Sequence, residues 1–133
     1  IKIQKKDFNV ENEINIIKNK YSSIGAANVF IGFVRDYNDK KDVKFLELEV
    51  YEQMAIKELS KIQQRAIKKF KLIDSLIIHR YGKLSVNDKI VLVICFSVNR
   101  KNSFEATKFI MDYLKKDAPF WKKETYDFGS NWI

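Results

Sequence analysis

Between Ile90 and Val98 every residue except Ser97 is apolar, a run of strand length with no helical period. Such a run predicts a strand covered on both faces, at the centre of a sheet. Ala26 to Val34 is nearly as apolar and predicts a second covered strand, in which Gly32 allows a bend or a close backbone approach. Phe45 to Tyr51 alternates apolar and polar, the pattern of a half-exposed strand, and Leu72 to Tyr81 returns to strand. Ile1 to Gln4 alternates too and fits a short edge strand. Three segments carry the other period. Asn9-Val10-Glu11 opens a short helix through Ile14, Ile17 and Lys18. Ala55, Leu59, Ile62, Ala66 and Phe70 mark the buried stripe of a helix from Glu52 to Lys71, with Lys57, Lys61, Gln64 and Lys68 on its solvated side. Phe104, Thr107, Ile110, Met111 and Leu114 mark a third, with its cap expected at Asn102. Pro119, the only proline, stops that helix near Asp117, because it lacks an N–H and its ring clashes with the preceding turn. Phe120 to Phe128 is then a last strand, and Trp132 a tail anchor. Asp36 to Asp42 and Ser85-Val86-Asn87-Asp88 supply loop and turn chemistry. The expected fold class is α+β, helices packed on a mostly antiparallel sheet, as one domain over residues 1–133.

Composition narrows the partners. The chain is 46% hydrophobic, as a packed domain requires, and its net charge of +8 calls for an anionic partner: nucleic acid, a phosphorylated small molecule or an acidic protein surface. One cysteine, Cys95, lies inside the most apolar strand, so it reads as a small buried hydrophobe in a chain of the reducing cytosol. One histidine and one cysteine are too few for a zinc site, and no metal or cofactor is expected. No GxGxxG or GxxxxGK[ST] loop occurs, and no apolar run approaches membrane-spanning length. The chain opens on Ile1 rather than methionine, so its natural N-terminus is expected upstream.

Candidate chemistry gathers around the proline. Lys115 and Lys116 end one helix, Lys122 and Lys123 leave from the next element, and the corner at Pro119 lets Lys115 and Lys122 converge on one small anion. The plain alternative is a solvated helix end favoured by the macrodipole. Phe120 and Trp121 add apolar bulk that would partly desolvate the ammoniums, and Lys115, on the border of its helix stripe, is expected to be half shielded. Arg35 and Arg100 stand at strand exits, where ligand contacts are common. His79 reads first as a hydrogen-bonded structural residue in a strand.

Several blocks together resemble one family, the catalytic large subunit of molybdopterin synthase. They are Phe30-Ile31-Gly32-Phe33-Val34-Arg35, Tyr51 with Met54, Ile78 to Leu84, Ser103-Phe104-Glu105-Ala106, and Met111 to Lys115 with Ala118-Pro119-Phe120-Trp121-Lys122-Lys123-Glu124. The resemblance covers Gly25 to Trp132 and implies an α/β-hammerhead-like fold. It implies a sulfurtransferase: cyclic pyranopterin monophosphate receives two sulfurs to form the molybdopterin dithiolene, each brought as a thiocarboxylate on the C-terminal glycine of a small ubiquitin-like subunit. By the same resemblance Lys115 and Lys122 are the catalytic lysines. Lys115 would attack or polarise the tail carbonyl or shuttle protons, and Lys122 would hold substrate and stabilise developing charge. Arg35 and Arg100 would bind the phosphate, and Phe33, Val34, Lys123 and Glu124 would line the pterin pocket. The large subunit would dimerise, offering the Arg100 segment across the interface, within a heterotetramer that includes two small subunits. Two departures stand out. Asn99 occupies a position that is usually histidine, so it can bind phosphate but not carry a proton. Glu52-Gln53 replaces the tight turn after Tyr51. The rival readings are a basic nucleic-acid-binding module using Trp121 and Tyr126, and an inactive paralogue that keeps only the small-subunit interface.

Overall fold

A computed structural model describes residues 1–38, 41–126 and 129–132, with the side chains of residues 1–36, 44–123, 125 and 132. Among these residues nine strands and three helices follow in the order β1 (Lys2–Gln4), α1 (Val10–Lys18), β2 (Ala26–Phe33), β3 (Tyr37–Asn38), β4 (Lys41–Val50), α2 (Glu52–Lys69), β5 (Asp74–Arg80), β6 (Gly82–Ser85), β7 (Lys89–Ser97), α3 (Arg100–Lys116), β8 (Phe120–Tyr126) and β9 (Gly129–Trp132). The expected α+β class is found, but the strands form two sheets rather than one. The first has the order β1-β5-β7-β2, antiparallel except for the β1–β5 pair. In the second, β4 carries β3 and β6 on one side and β8 on the other, and β9 extends the edge beyond β8.

The long apolar run of β7 follows from its place. Val91, Val93 and Cys95 pack under α2 and α3 with Leu59, Ile62, Ala66, Ala106 and Ile110. Leu92, Ile94 and Phe96 pack on the other face with Phe8 and Ile17 beneath α1. Successive side chains on a strand point to opposite faces, so a central strand with helices on both sides must be apolar throughout. Burying each of the larger side chains contributes roughly 1.5–3 kcal/mol relative to exposure. Cys95 is fully buried, and burial pushes its thiol pKa up, so it is the inert hydrophobe that the sequence suggests. A third cluster of Val34, Leu46, Leu48 and Leu84 holds the second sheet against the first.

Several expectations need correction. β2 is not covered on both faces: it is an edge strand of the first sheet, with Val29, Phe30 and Phe33 exposed. The cap of α3 lies three residues before the one expected at Asn102. Asn99 is the cap, and its Oδ1 accepts from the N–H of Asn102. Three strands not foreseen, β3, β6 and β9, pair with β4 and β8, and β3 with the start of β4 takes up part of Asp36 to Asp42, expected to be a loop. The last strand ends at Tyr126, and Phe128, expected to belong to it, lies outside the described residues. The stop imposed by Pro119 is as expected: Asp117 caps α3, its N–H donating to the Tyr113 carbonyl.

Candidate functional site: a cavity between two lysines

α3 ends and β8 begins within a few residues, and the corner between them forms one wall of a cavity of about 690 Å³. Lys115 and Lys116 reach it from the last turn of α3, and Lys122 from β8. Its floor comes from the first sheet: Phe30, Gly32 and Phe33 of β2, His79 of β5 and Val91 of β7. Met111, Leu114 and Phe120 complete the apolar lining. Gly32 is required here by space. A Cβ at that position would stand 2.9 Å from Val91 Cγ1, and the β2–β7 register shifts between Gly32 and Phe33.

The strand period decides which lysines share the site. Phe120 and Lys122 are two residues apart on β8 and line the cavity, whereas Trp121 and Lys123 alternate to the opposite face. There Trp121 meets Tyr51 edge-on at 5.2 Å, and the Lys123 Nζ lies 5.7 Å from the Trp132 ring. Trp121 therefore does not shield Lys122. Lys115 is exposed rather than half shielded, and Lys122 is exposed as well. The cavity is an open, cationic mouth on an apolar floor.

The remaining residues singled out in the sequence fall into three groups. Phe33 lines the cavity, and Arg35 leaves the sheet two residues later. Val34 is turned inward, 3% exposed, in the cluster with Leu46 and Leu84; its backbone exchanges hydrogen bonds with Asn87 and Asp88. Its side chain is part of the core rather than the cavity wall. The backbone of Glu124 pairs with Leu46, and its side chain lies outside the described ones. Asn99 and Arg100 open α3, the end of the helix away from Lys115. Fifteen residues at 1.5 Å each put Arg100 about 22 Å from Lys115 along the axis, beyond the combined reach of both side chains. The Asn99–Arg100 backbone is held in place. Ser97 Oγ donates to the Asn99 carbonyl, Ser103 Oγ to the Arg100 carbonyl, and the Asn99 side chain is committed to the cap.

His79 is the residue whose place in the site the sequence did not reveal. It is 6% exposed and stacks on Phe120 with ring centroids 3.7 Å apart and planes 20° apart. Its Nδ1 lies 2.8 Å from the Arg80 carbonyl oxygen. Burial drives its pKa down to about 4, with the Lys122 ammonium adding to the fall, while the Arg80 hydrogen bond opposes it. The pairing of a β5 side chain with one on β8 joins the two sheets at the cavity floor. No sequence period links positions forty-one residues apart. Among the described residues no group of histidine, cysteine and carboxylate side chains could hold a metal ion.

Three of the exposed aromatics, Tyr51, Trp121 and Trp132, share a surface hollow with Glu49, whose carboxylate opposes a phosphate backbone at that hollow.

Comparison with known proteins bears on this geometry. Residues 3–117 match the family model described as MoaE protein. The chain is 47% identical over 133 residues to the molybdopterin synthase catalytic subunit of Ralstonia nicotianae, covering all of this chain and 76% of that protein. Among solved structures, the molybdopterin biosynthesis MoaE protein of Burkholderia ambifaria superposes with a TM-score of 0.86 at 40% identity, over 99% of this chain and 86% of the other. The molybdopterin synthase of Staphylococcus aureus gives 0.90 at 30% identity, over 99% and 95%. A match running through β1 to α3, with the whole fold superposable, makes the chain a member of the MoaE family, the catalytic subunits of molybdopterin synthase.

Proposed function

We propose that the cavity at the α3–β8 corner is where sulfur passes from the thiocarboxylate tail of a small ubiquitin-like subunit to cyclic pyranopterin monophosphate, forming the molybdopterin dithiolene in the cytoplasm. The observation that carries this reading is the convergence of Lys115 and Lys122, from two different elements, on one cavity. Two cations on an apolar floor suit both reactants, each of which has an apolar or planar body and an anionic end. With Cys95 buried and inert, the chain offers no thiol that could carry the sulfur itself, which accords with a sulfur brought by a partner.

Lys115 acts on the tail carbonyl, where an ammonium within hydrogen-bond reach stabilises the negative charge that develops as the C–S bond is exchanged. The pterin carbon that takes the sulfur gives up an oxygen as water, and a water oxygen replaces the sulfur on the tail carbonyl, so the tail leaves as a carboxylate. Lys122 holds the pterin and stabilises charge on it, and Phe33 packs against the ring. Arg35 takes the phosphate at the cavity rim. Arg100, too far from Lys115 within one chain, serves the cavity of a second copy in a homodimer, and each large subunit carries one small subunit.

The test is reconstitution of the chain with thiocarboxylated small subunit and cyclic pyranopterin monophosphate, reading the dithiolene product by mass. Wild-type protein is expected to form it, and Lys115→Ala to lose at least about a hundredfold in rate while remaining folded. Full turnover by that variant would overturn the assignment.

A further inference from the structure

The cavity is rich in donors and poor in acceptors. Lys115, Lys116 and Lys122 each bring an ammonium, which donates three hydrogen bonds and accepts none. Among the described lining residues, only Asp112 and His79 have a side-chain nitrogen or oxygen able to accept. The Asp112 carboxylate is 60% exposed at the mouth and already takes the Lys108 ammonium at 2.9 Å. That leaves His79, on the buried wall.

Its geometry fixes which nitrogen is available. The Arg80 carbonyl can only accept, so Nδ1 carries the proton and donates, and Nε2 holds the lone pair. Phe120 fixes the ring plane from β8. On the next strand residue the Arg80 guanidinium is turned elsewhere, donating to the carbonyls of Lys5 and Lys89. Among the described residues nothing bonds Nε2, which is the atom His79 has left to offer.

We propose that His79 is a binding residue of the cavity, whose Nε2 accepts a hydrogen bond from an N–H of the occupant while the occupant's anionic group lies on the lysines. This rests on the sulfur-transfer reading. The occupant it selects is a molecule with an N–H donor and an anion at opposite ends. Both reactants have that chemistry: a pterin ring with its phosphate, and the last amide of a peptide tail with its terminal carboxylate. Burial keeps the imidazole neutral, so it accepts without adding a fourth positive charge to the wall.

The chain has a single histidine, so labelling histidine with ¹⁵N gives a spectrum of this ring alone. Labelled protein is titrated separately with cyclic pyranopterin monophosphate and with a peptide copy of the small subunit's C-terminal tail, and affinities are measured for His79→Phe and His79→Gln. The Nε2 resonance is expected to move when the occupant binds. His79→Phe, which keeps a stacked ring and removes the acceptor, should bind about tenfold more weakly, and His79→Gln, which restores an acceptor, should stay within about threefold of wild type. A loss seen with one ligand and not the other assigns the acceptor to that reactant. Unchanged affinity in His79→Phe with both ligands, or weakening without any movement of Nε2, overturns the proposal and leaves the sulfur-transfer reading standing. Wild-type protein that binds neither ligand overturns that reading and this one together.

Discussion

Protonating His79 would place a charge on a ring that is 6% exposed, stacked on Phe120 and facing the Lys122 ammonium. The folded protein resists this down to a pKa of about 4, whereas an unfolded chain takes the proton near 6.5. Between those values the unfolded state binds more protons, so stability falls as pH falls. The contribution is intact above about pH 6.5, and acidification to pH 4 should remove on the order of 3 kcal/mol. Urea denaturation of wild type and His79→Phe at pH 7.5 and pH 4.5 checks this. The variant, with nothing to protonate, should lose less stability across the interval, and equal losses would show that His79 is not the group responsible. The sequence makes His79 a hydrogen-bonded structural residue, which describes its Nδ1 well. It could not show that Phe120 lies on the ring, because that contact depends on how two sheets meet. The lysines were more legible, since one proline and the strand period place Lys115 and Lys122 together. The same period carries Trp121 and Lys123 away from them.

α3 shows how a helix boundary can be misread by one turn. Asn99 and Asn102 are both good capping residues, and the glutamate at 105 favours the later one. The earlier cap prevails because Ser97 Oγ holds the Asn99 carbonyl at the end of the central strand, and the helix can start immediately. Removing the cap with Asn99→Ala should lower stability by about 1 kcal/mol, whereas Asn99→Asp should retain it. Equilibrium unfolding of both variants at neutral pH reads the difference, and an Asn99→Ala protein as stable as wild type would show that the cap contributes nothing. The long elements were legible because their periods run for many residues. β6 and β9 were not. Gly82–Ser85 has one buried apolar side chain, Leu84, and Gly129–Trp132 has the composition of a turn. Both are strands because β4 and β8 present backbone groups to pair with, which is information held by the neighbour and not by the segment. β2 reads as fully covered because its edge residues Val29, Phe30 and Phe33 are apolar, although within one chain they face outward.

At the scale of the whole molecule, the two ends of α3 cannot serve one cavity in one chain. Lys115 closes the helix beside Lys122, and Arg100 opens it about 22 Å away by the rise per residue. If Arg100 binds the substrate phosphate as proposed, it must do so in the cavity of a second copy, and each site is then built from two chains. This has an outcome that a site within one chain cannot produce. Lys115→Ala and Arg100→Ala should each be inactive as homodimers, since every site lacks one of the pair. In a mixed dimer one site has lost both residues, and the other takes its lysine from the second variant and its arginine from the first. Co-expression with two different affinity tags, followed by purification over both, isolates the mixed dimers. These should recover about half the wild-type rate of dithiolene formation, one intact site in two. Mixed dimers as inactive as their parents would place Arg100 in the service of its own chain, by a route that the length of α3 does not allow, whereas an Arg100→Ala homodimer with full activity would place it outside catalysis.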